Sequence, residues 1–506
     1  MGTLKSLPMK RLTCASFSLL LALASIGAQS TEFRTFTNTS GKSIRARLVS
    51  ATAQQVSIVM ENGQQFTLQL NTLSAADQEY VRQAAAAPAA AVAAKPAALP
   101  FRFTPGPNDK LPPDAVNEAV GQPLFADLAL WLTSAEEVAK KLDIPPESKT
   151  KTASSFRAYT KDDYKIFGAH PYSVAMYAED DKVTNFSLVF ANKGDLFSSK
   201  GGGEMHFDKN TPPAQAALIV KTAMDKDMAT ITETLTKKLG EPKKERFGEG
   251  KVGRTDVRRW DWRGHSILLG QAEGEYVGVQ IVTTQFADAG GRMAYTNDAI
   301  VRARALANIE KRPNGDVVIG DIPMVDQGPK GYCAPATAER AMRYLGVPAD
   351  MYILANAGET GFGGGTSMQL LLQGIERHIR NKGRAFSSWE GELKMRDIAK
   401  QIDKGVPIMW TLYSTKDFNK TANARKKERA STTDWKGWKE KVAAAASSSS
   451  LQRDDETRHV VLIIGYNAET NEIAFSDSWG DNFKERWITL AEAERVSQHH
   501  FYVVGF

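Results

Sequence analysis

Cysteine is scarce in this chain, which has two among its 506 residues, Cys14 and Cys333. Cys14 lies in an amino-terminal segment that we expect to be removed, so the mature chain would keep only Cys333 and could form no internal disulfide. A single thiol in an oxidising compartment is a liability unless it is buried or takes part in chemistry. The scarcity of cysteine therefore excludes a disulfide-stapled fold and directs attention to one sulfur.

Long apolar runs are missing after the first thirty residues. Residues 1–28 combine Lys5, Lys10 and Arg11 with an apolar stretch and then small residues, a pattern typical of a secretory signal peptide. No later segment reaches the ~18 apolar residues that a membrane span needs. We expect an exported protein of the periplasm, cell envelope or extracellular space, without a membrane span in the mature chain. An uncleaved amino-terminal anchor is the alternative.

A strong charge of one sign is missing as well. The chain has 64 Lys and Arg against 58 Asp and Glu, and the net charge of +6 is mild for this length. Such a balance does not indicate a nucleic-acid partner. His170, His206 and His265 are scattered without metal-ligand spacing, and we predict neither a metal nor another cofactor.

The composition changes along the chain in a way that predicts an α+β protein of several domains. Residues 32–82 alternate polar and apolar side chains and indicate a small all-β unit. Residues 83–100 are almost all Ala and Pro, which is typical of a linker. Residues 101–295 indicate an α+β domain of unknown role, and residues 316–506 a final domain in which residues 414–458, rich in Lys, Ala and Ser, are predicted to be a flexible insertion.

Hydrophobic periodicity places the main elements of these domains. The predicted strands are 172–177, 183–190, 258–269, 276–284 and 406–413, and the predicted helices are 212–239, 297–311, 335–345, 367–378 and 395–404.

The residues around Cys333 are typical of those that surround a catalytic nucleophile. Gln327 precedes it in the same loop, and the residues after Cys333 begin a predicted helix whose free backbone N–H groups favour a thiolate. His459 opens a buried strand and is the candidate base, and Asp477 is the candidate group that orients the imidazole. Gln327 would donate to a developing oxyanion.

Two aromatic residues accompany these candidates. Trp479 could shield the hydrogen bond between His459 and Asp477 from water, and we expect Tyr332 and Trp479 to line the substrate and oxyanion environment.

Each of these residues also has an ordinary structural role open to it. Cys333 could be a small buried core residue, Asp477 could cap a turn, Gln327 could bond the loop backbone, and Trp479 could belong to a plain core. Three further histidines compete for the role of base: His378, His499 and His500. Only the ordered coincidence of Gln, Cys, His and Asp favours catalysis.

The segment from Asp321 to Gln327, followed by Cys333-Ala334-Pro335-Ala336-Thr337, resembles the C39-like bacterial cysteine peptidases of the papain-like clan, and the later His459 and Asp477 motifs fit it. The resemblance implies a papain-like fold with a Cys333, His459 and Asp477 triad and Gln327 as oxyanion donor. Ala334 stands where that family usually has glycine.

Residues 32–82 resemble the SH3-like module called the SLA homology domain, which implies binding to an envelope component or a protein partner. A generic β-barrel spacer is the alternative for this segment.

Together these observations predict an exported cysteine peptidase that acts on a peptide or protein substrate. The same groups would serve a thiol acyltransferase or a deamidase. The sequence therefore does not decide whether water or an amine accepts the acyl group. A binding or scaffold protein that keeps a papain-like shell with little turnover is the alternative from another class. A latent enzyme, whose groove is covered by residues 101–295 or 414–458, is a further one.

Overall fold

The computed structural model describes residues 33–51, 54–60, 65–86, 104–125, 130–198, 211–249, 253–292 and 297–506. These residues form two compact units, one within residues 1–97 and the other within residues 98–506. The predicted signal peptide, with Cys14, lies outside the described residues, and so does most of the predicted Ala and Pro linker. Among the described helices, none combines the length and the apolar character needed to cross a lipid bilayer.

The first unit is an antiparallel meander of four strands followed by one helix. Alternate residues such as Val56 and Ile58 face its small core, as a half-buried strand requires. The Ser74 hydroxyl accepts a hydrogen bond from the Asp77 N–H (3.2 Å) and so caps the helix. The SH3-like interpretation stays a prediction. The elements are β1 Arg34–Thr37, β2 Ser43–Ala51, β3 Gln55–Met60, β4 Gln65–Gln69 and α1 Ala75–Ala86.

The first part of the second unit, the middle lobe, comprises the described residues between 104 and 292. Its eight strands form one antiparallel sheet in the order β5-β6-β7-β8-β12-β11-β10-β9. The elements are α2 Pro113–Val120, α3 Ala135–Lys141, β5 Pro146–Lys149, β6 Ala153–Tyr159, β7 Ser173–Glu179, β8 Lys182–Asn192, α4 Lys193–Leu196, α5 Pro213–Leu239, β9 Lys243–Phe247, β10 Thr255–Trp262, β11 His265–Ala272, β12 Tyr276–Thr283 and α6 Thr284–Asp288.

The long helix α5 covers one face of this sheet with an apolar stripe that includes Val220, Met224, Ile231 and Leu235. The predicted single strand 258–269 is instead the β10–β11 hairpin. Its turn is made by Arg263 and Gly264, both with positive φ (42° and 76°), which suits a two-residue hairpin loop.

The rest of the second unit, the C-terminal lobe, comprises residues 297–506 and also contains an antiparallel sheet, in the order β13-β14-β17-β16-β20-β15, with β18 and β19 branching from β17. The elements are α7 Asp298–Ala307, β13 Ile309–Lys311, β14 Asp316–Ile319, α8 Cys333–Tyr344, α9 Met351–Ala357, α10 Met368–Asn381, β15 Ala385–Glu390, α11 Met395–Ile402, β16 Ile408–Tyr413, α12 Lys416–Ser431, α13 Trp435–Ser447, β17 Arg458–Asn467, β18 Glu472–Ser476, β19 Arg486–Thr489, α14 Leu490–Val496 and β20 Ser497–Gly505.

This lobe begins earlier than the predicted boundary at residue 316. Val301 and Ala305 of α7 are buried in the same core as the sheet, and β13 pairs with β14. The segment expected to be a simple connecting helix is therefore a structural part of the lobe.

Residues 414–458, which we predicted to be a flexible insertion, form helices α12 and α13 and pack on the sheet. The buried stripe of α12 consists of Phe418, Ala422, Arg425 and Arg429, which have helical spacing. The two arginines reach buried acidic groups, because Arg425 pairs with Glu492 and Arg429 pairs with Asp316 and Glu472. Because charged residues usually face solvent, the two arginines led the sequence analysis to treat this buried face of α12 as exposed.

The two lobes, predicted as separate domains, pack together within one compact unit. Polar groups of the middle lobe bind the segment that leads to Cys333: Ser148 Oγ accepts from the Met324 N–H (2.9 Å), and Glu147 Oε1 accepts from the Asp326 N–H (2.9 Å). An apolar cluster that includes Val189 of the middle lobe and Val325 of the C-terminal lobe accompanies these polar contacts. The partners lie far apart in the chain, so local sequence patterns could not show that the two lobes pack together.

Candidate active site

Cys333 is the first residue of helix α8 and is partly exposed. The predicted helix began two residues later, at Pro335, which instead lies in the first turn. Proline is tolerated there because the first N–H groups of a helix have no intrahelical acceptor. The helix start places the Cys333 sulfur at the positive end of the helix dipole, where a thiolate is favoured.

Helix α8 is docked on the sheet by two buried polar side chains. Thr337 Oγ1 donates to the carbonyl of Val460 (3.1 Å), the residue after His459. The Arg340 guanidinium donates to Ser476 Oγ (2.5 Å), the residue before Asp477, and to the carbonyl of Pro323 (3.0 Å). The helix is thereby held in register with both strands that carry the other candidate residues.

His459 is on β17 and lies between Cys333 and Asp477. Its Nε2 is 2.5 Å from Asp477 Oδ1, and the imidazole also forms a hydrogen bond with the Cys333 thiol. Because Nε2 is engaged by the carboxylate, Nδ1 is the nitrogen left for the sulfur. Both His459 (7% exposed) and Asp477 (0% exposed) are buried, so this interaction is little weakened by water.

The electrostatics of this group favour an ion pair. Burial of the Cys333 thiol opposes ionisation, yet its pKa lies below the ordinary value because the charge and hydrogen bond of His459, with backbone hydrogen bonds at Val460 and Ala334, outweigh burial. Burial likewise opposes protonation of His459, yet its pKa is raised by the Cys333 thiolate and by Asp477. The two shifts describe one pair, a thiolate beside an imidazolium.

Trp479 stacks on the His459 ring, with ring centroids 4.7 Å apart and an interplanar angle of 29°. Its ring covers one face of the imidazole and restricts access of water to the hydrogen bond with Asp477. The sequence predicts a position for Trp479 beside this hydrogen bond, and its role in shielding stays a prediction.

Arg486, on β19, is a further residue of the site that the sequence did not single out. Its Nη2 donates to Asp477 Oδ2, and both side chains are completely buried. Burial raises the pKa of Asp477, but hydrogen bonds and charge from His459 and Arg486 lower it below the ordinary value overall. Nη1 of Arg486 donates to Oδ1 of Asn419 (2.8 Å) and of Asn423 (3.2 Å), so α12 takes part in supporting the site.

Gln327 is buried in the loop before Cys333. Its N–H donates to the carbonyl of Ser478 (2.9 Å), which ties this loop to the segment after Asp477. Its side-chain Nε2 donates to the carbonyl of Lys330 (3.0 Å), and Oε1 has no hydrogen-bond partner among the described residues. An amide nitrogen carries two N–H groups, so the bond to Lys330 leaves one for another acceptor.

Tyr332 packs in a cluster of apolar side chains that both lobes share. It is 1% exposed and packs edge-on against Tyr352, with ring centroids 5.7 Å apart. Its ring is also so close to Gly194 that a Cβ there would lie 2.5 Å from it. This placement indicates a role in packing the loop rather than in touching a substrate.

The competing histidines lie elsewhere in the described structure. His378 on α10 bonds the carbonyl of Pro348 (3.0 Å), His499 lies near Glu494 and His500 near Glu390 (each 3.3 Å). His265 lies in an aromatic cage in the middle lobe, where burial lowers its pKa to about 4. Within the described residues, no group of three or more His, Cys, Asp and Glu side chains is arranged to hold a metal ion.

Residues 319–501 match the Peptidase_C39 like family. The match spans α8, His459 and Asp477, and it confirms the C39-like part of the resemblance drawn from the sequence. No curated protein sequence matches this chain. The C39-like domain (residues 319–501) is thus a peptidase-like domain, and it includes the cysteine, imidazole and carboxylate described above.

Proposed function

We propose that the C39-like domain is a cysteine peptidase in which Cys333 is the nucleophile, His459 the acid and base, and Asp477 the residue that orients the imidazole. The observation that carries the proposal is the position of His459, which bonds the Cys333 thiol on one side and Asp477 Oδ1 (2.5 Å) on the other. The family match over residues 319–501 supports a peptide substrate. A papain-like arrangement, with the cysteine on a helix and the histidine on a sheet, belongs to the same proposal.

The proposed reaction has two steps. The Cys333 thiolate attacks the carbonyl carbon of the scissile peptide bond, and the tetrahedral intermediate collapses to a thioester while the His459 imidazolium gives its proton to the leaving amine. His459 then removes a proton from a water molecule, whose oxygen attacks the thioester and releases the carboxylic acid. The thiolate leaves and pairs again with protonated His459.

The negative oxygen of each tetrahedral intermediate needs hydrogen-bond donors. The backbone N–H of Cys333, at the start of α8, and the second N–H of Gln327 Nε2 are the proposed donors. Removal of one such donor in comparable enzymes costs ~100-fold or more in turnover. We therefore assign Gln327 this role, with its amide held by the carbonyl of Lys330.

The proposal is tested by incubating the purified protein, and its Cys333→Ala variant as control, with a mixed peptide library and identifying the products by mass spectrometry. A peptidase creates new termini that carry one added water and that are missing with the variant. Products joined to an added amine would indicate an acyltransferase. Conversion of Gln or Asn side chains to carboxylic acids would indicate a deamidase. Unchanged peptides together with an ordinary Cys333 thiol would favour the scaffold alternative.

We further propose that the protein acts outside the cytoplasm and that its amino-terminal unit binds a partner. The charge and apolar pattern of residues 1–28 supports export. The compact four-stranded unit that includes β1 to β4 is separate from the C39-like domain in the fold, which is consistent with a binding role. Fusion of residues 1–32 to a reporter enzyme that is active only after export tests the first point.

A further inference from the structure

Several polar contacts of the middle lobe converge on one segment of the C39-like domain, residues 323–332, which leads directly to Cys333. Tyr159 donates its hydroxyl to the carbonyl of Asp326 (2.5 Å), and Glu147 Oε1 accepts from the N–H of the same residue (2.9 Å). The carboxylate of Glu147 is itself held by Arg157 Nε (2.6 Å), and both of these side chains are nearly inaccessible to solvent. The backbone of Asp326 is thus bound on both its N–H and its carbonyl side.

Lys330 is the most deeply enclosed charge of this segment, with a side chain that is 0% exposed. Its ammonium lies 3.2 Å from Asp195 Oδ1, which belongs to α4 of the middle lobe. It also lies over the ring of Tyr159, 4.5 Å from the centroid, and over that of Tyr352 at 5.1 Å. Asp195 in turn accepts from the Tyr352 hydroxyl (3.2 Å), so the ion pair is enclosed by groups from both lobes.

The same lysine holds the candidate oxyanion donor. The carbonyl of Lys330 accepts the hydrogen bond from Gln327 Nε2 (3.0 Å), so the side chain of Lys330 is fixed by Asp195 while its backbone fixes Gln327. A continuous chain of contacts therefore runs from α4 through Lys330 to Gln327.

Close packing restricts the glycines next to these two residues, Gly328 and Gly331. Gly328 has φ +68° and lies against the Tyr159 ring, where a Cβ would come within 2.6 Å of the ring. Gly331 bonds the carbonyl of Gly363 through its N–H (2.8 Å), and the N–H of Gly363 faces the carbonyl of Lys193 (3.3 Å). Only glycine combines this conformation with such close approach at Gly328.

We propose that the middle lobe is an obligatory part of the active site, and that Asp195 is a positioning residue that acts through Lys330 to place the amide of Gln327. This inference rests on the proposed function. It gives the middle lobe a role in catalysis. It also argues against a latent enzyme whose groove is covered by residues 101–295, because a lobe that holds the oxyanion loop in place supports catalysis.

The test uses the full chain with the paired substitution Asp195→Asn and Lys330→Met, which removes both charges together and leaves no unpaired buried charge. The control is Arg259→Met, since Arg259 is a largely buried cation (4% exposed) that pairs with Asp261 and Asp288. It lies on β10, toward the opposite edge of the middle-lobe sheet from β5, which carries Glu147. Three quantities are measured: peptide turnover, the rate of Cys333 alkylation by iodoacetamide, and amide hydrogen exchange of residues 323–332.

We expect the paired variant to lower kcat about tenfold and to exchange residues 323–332 at least tenfold faster, while Cys333 alkylation, which forms no oxyanion, stays within about twofold. Gln327→Ala should lower kcat about 100-fold in the wild-type chain and much less in the paired variant, because both changes remove the same donor. Arg259→Met should leave exchange at 323–332 unchanged.

Wild-type exchange at residues 323–332 in the paired variant would overturn the inference, and so would a Gln327→Ala effect that is undiminished in that background. The failure of the proposed function is distinguishable from both, since it would appear as an absence of turnover in the wild-type chain itself. In that case the exchange measurement would still decide whether the middle lobe braces this loop.

Discussion

Arg486 and Asp477 form a completely buried ion pair directly behind the imidazole of His459. The carboxylate is thereby held at both oxygens, by Arg486 at Oδ2 and by His459 at Oδ1. The second guanidinium nitrogen is held by Asn419 and Asn423 of α12. Helix α12, part of the segment predicted to be a flexible insertion, therefore helps to orient the base.

We predict that Arg486→Met moves the low-pH loss of peptidase activity to higher pH, by ~1 unit. The pKa of Asp477 is below its ordinary value while Arg486 is present, so the folded state gains stability from the carboxylate above the unfolded pKa and loses it as pH falls. Without the cation, burial makes Asp477 take up its proton earlier. The measurement is kcat as a function of pH.

The control for this prediction is Arg312→Met, since Arg312 pairs with Glu485 on a partly exposed surface nearby. It should leave the pH profile unchanged and cost under ~1 kcal/mol of unfolding free energy, whereas Arg486→Met should cost about 3 to 5 kcal/mol because it leaves a buried carboxylate with one partner fewer. Arg486→Lys keeps the charge and should restore much of the profile. An unchanged profile in folded Arg486→Met protein would contradict the account.

A second prediction concerns Trp479. Replacing it with Ala exposes the His459 ring and its bond to Asp477 to water, which weakens the hydrogen bond that orients the imidazole, so turnover should fall about tenfold. Trp479→Phe keeps an aromatic ring and should retain most activity. Trp389, which stacks on Phe501 elsewhere in the lobe (5.2 Å), is the matched control, because its replacement should affect stability only.

A third prediction follows from Glu339 on α8, which is 0% exposed. Burial raises its pKa to about 7. The negative charges of Asp350 and Glu147 also raise this pKa, whereas the positive charges of Arg343 and Arg157 lower it. Below the unfolded pKa the group is protonated in both states. Between about 4.5 and 7 only the unfolded chain releases the proton, so the free energy of unfolding should fall by up to ~3 kcal/mol as pH rises through this window.

Glu339→Gln should remove this slope in urea unfolding curves recorded across that pH range. Glu376→Gln, on the exposed face of α10, is the matched control and should keep it. A wild-type chain whose stability does not change between pH 4.5 and 7 would refute the assignment.

A fourth prediction concerns α12. Arg429→Met removes the partner of Asp316 and Glu472, both nearly fully buried, and should cost about 3 to 5 kcal/mol of unfolding free energy. Lys441→Met breaks an exposed pair with Glu428 on the same helical hairpin and should cost under ~1 kcal/mol. Equal effects of the two changes would show that the buried network does not hold the helices.

Much of the architecture could be predicted from hydrophobic periodicity, as the agreement of α5, α10, β7 and β8 with the predicted segments shows. The hairpin turn at Arg263 and Gly264 was missed, because apolar residues on both sides of it looked like one continuous strand. Helix α12 was missed because two of its four inward positions are arginines, and a pattern of apolar residues cannot distinguish a buried arginine from a solvated one.

The residues of the candidate active site could likewise be predicted only in part. Cys333, His459, Asp477 and Trp479 could be found because residue type, order and flanking strand or helix signals all agreed with one chemistry. Arg486, Lys330 and Asp195 carry no local signal, and their roles depend on partners distant in the chain that only the packing of the lobes brings close.

The rate of Cys333 alkylation by iodoacetamide as a function of pH shows whether His459 holds the Cys333 sulfur as a thiolate. The wild-type chain should react rapidly well below the ordinary thiol pKa of about 8.5. His459→Ala should react only near or above that value, because His459 no longer outweighs the burial that opposes ionisation of Cys333. Coincident profiles for the two proteins, both rising only near pH ~8.5, would show that His459 does not ionise the thiol.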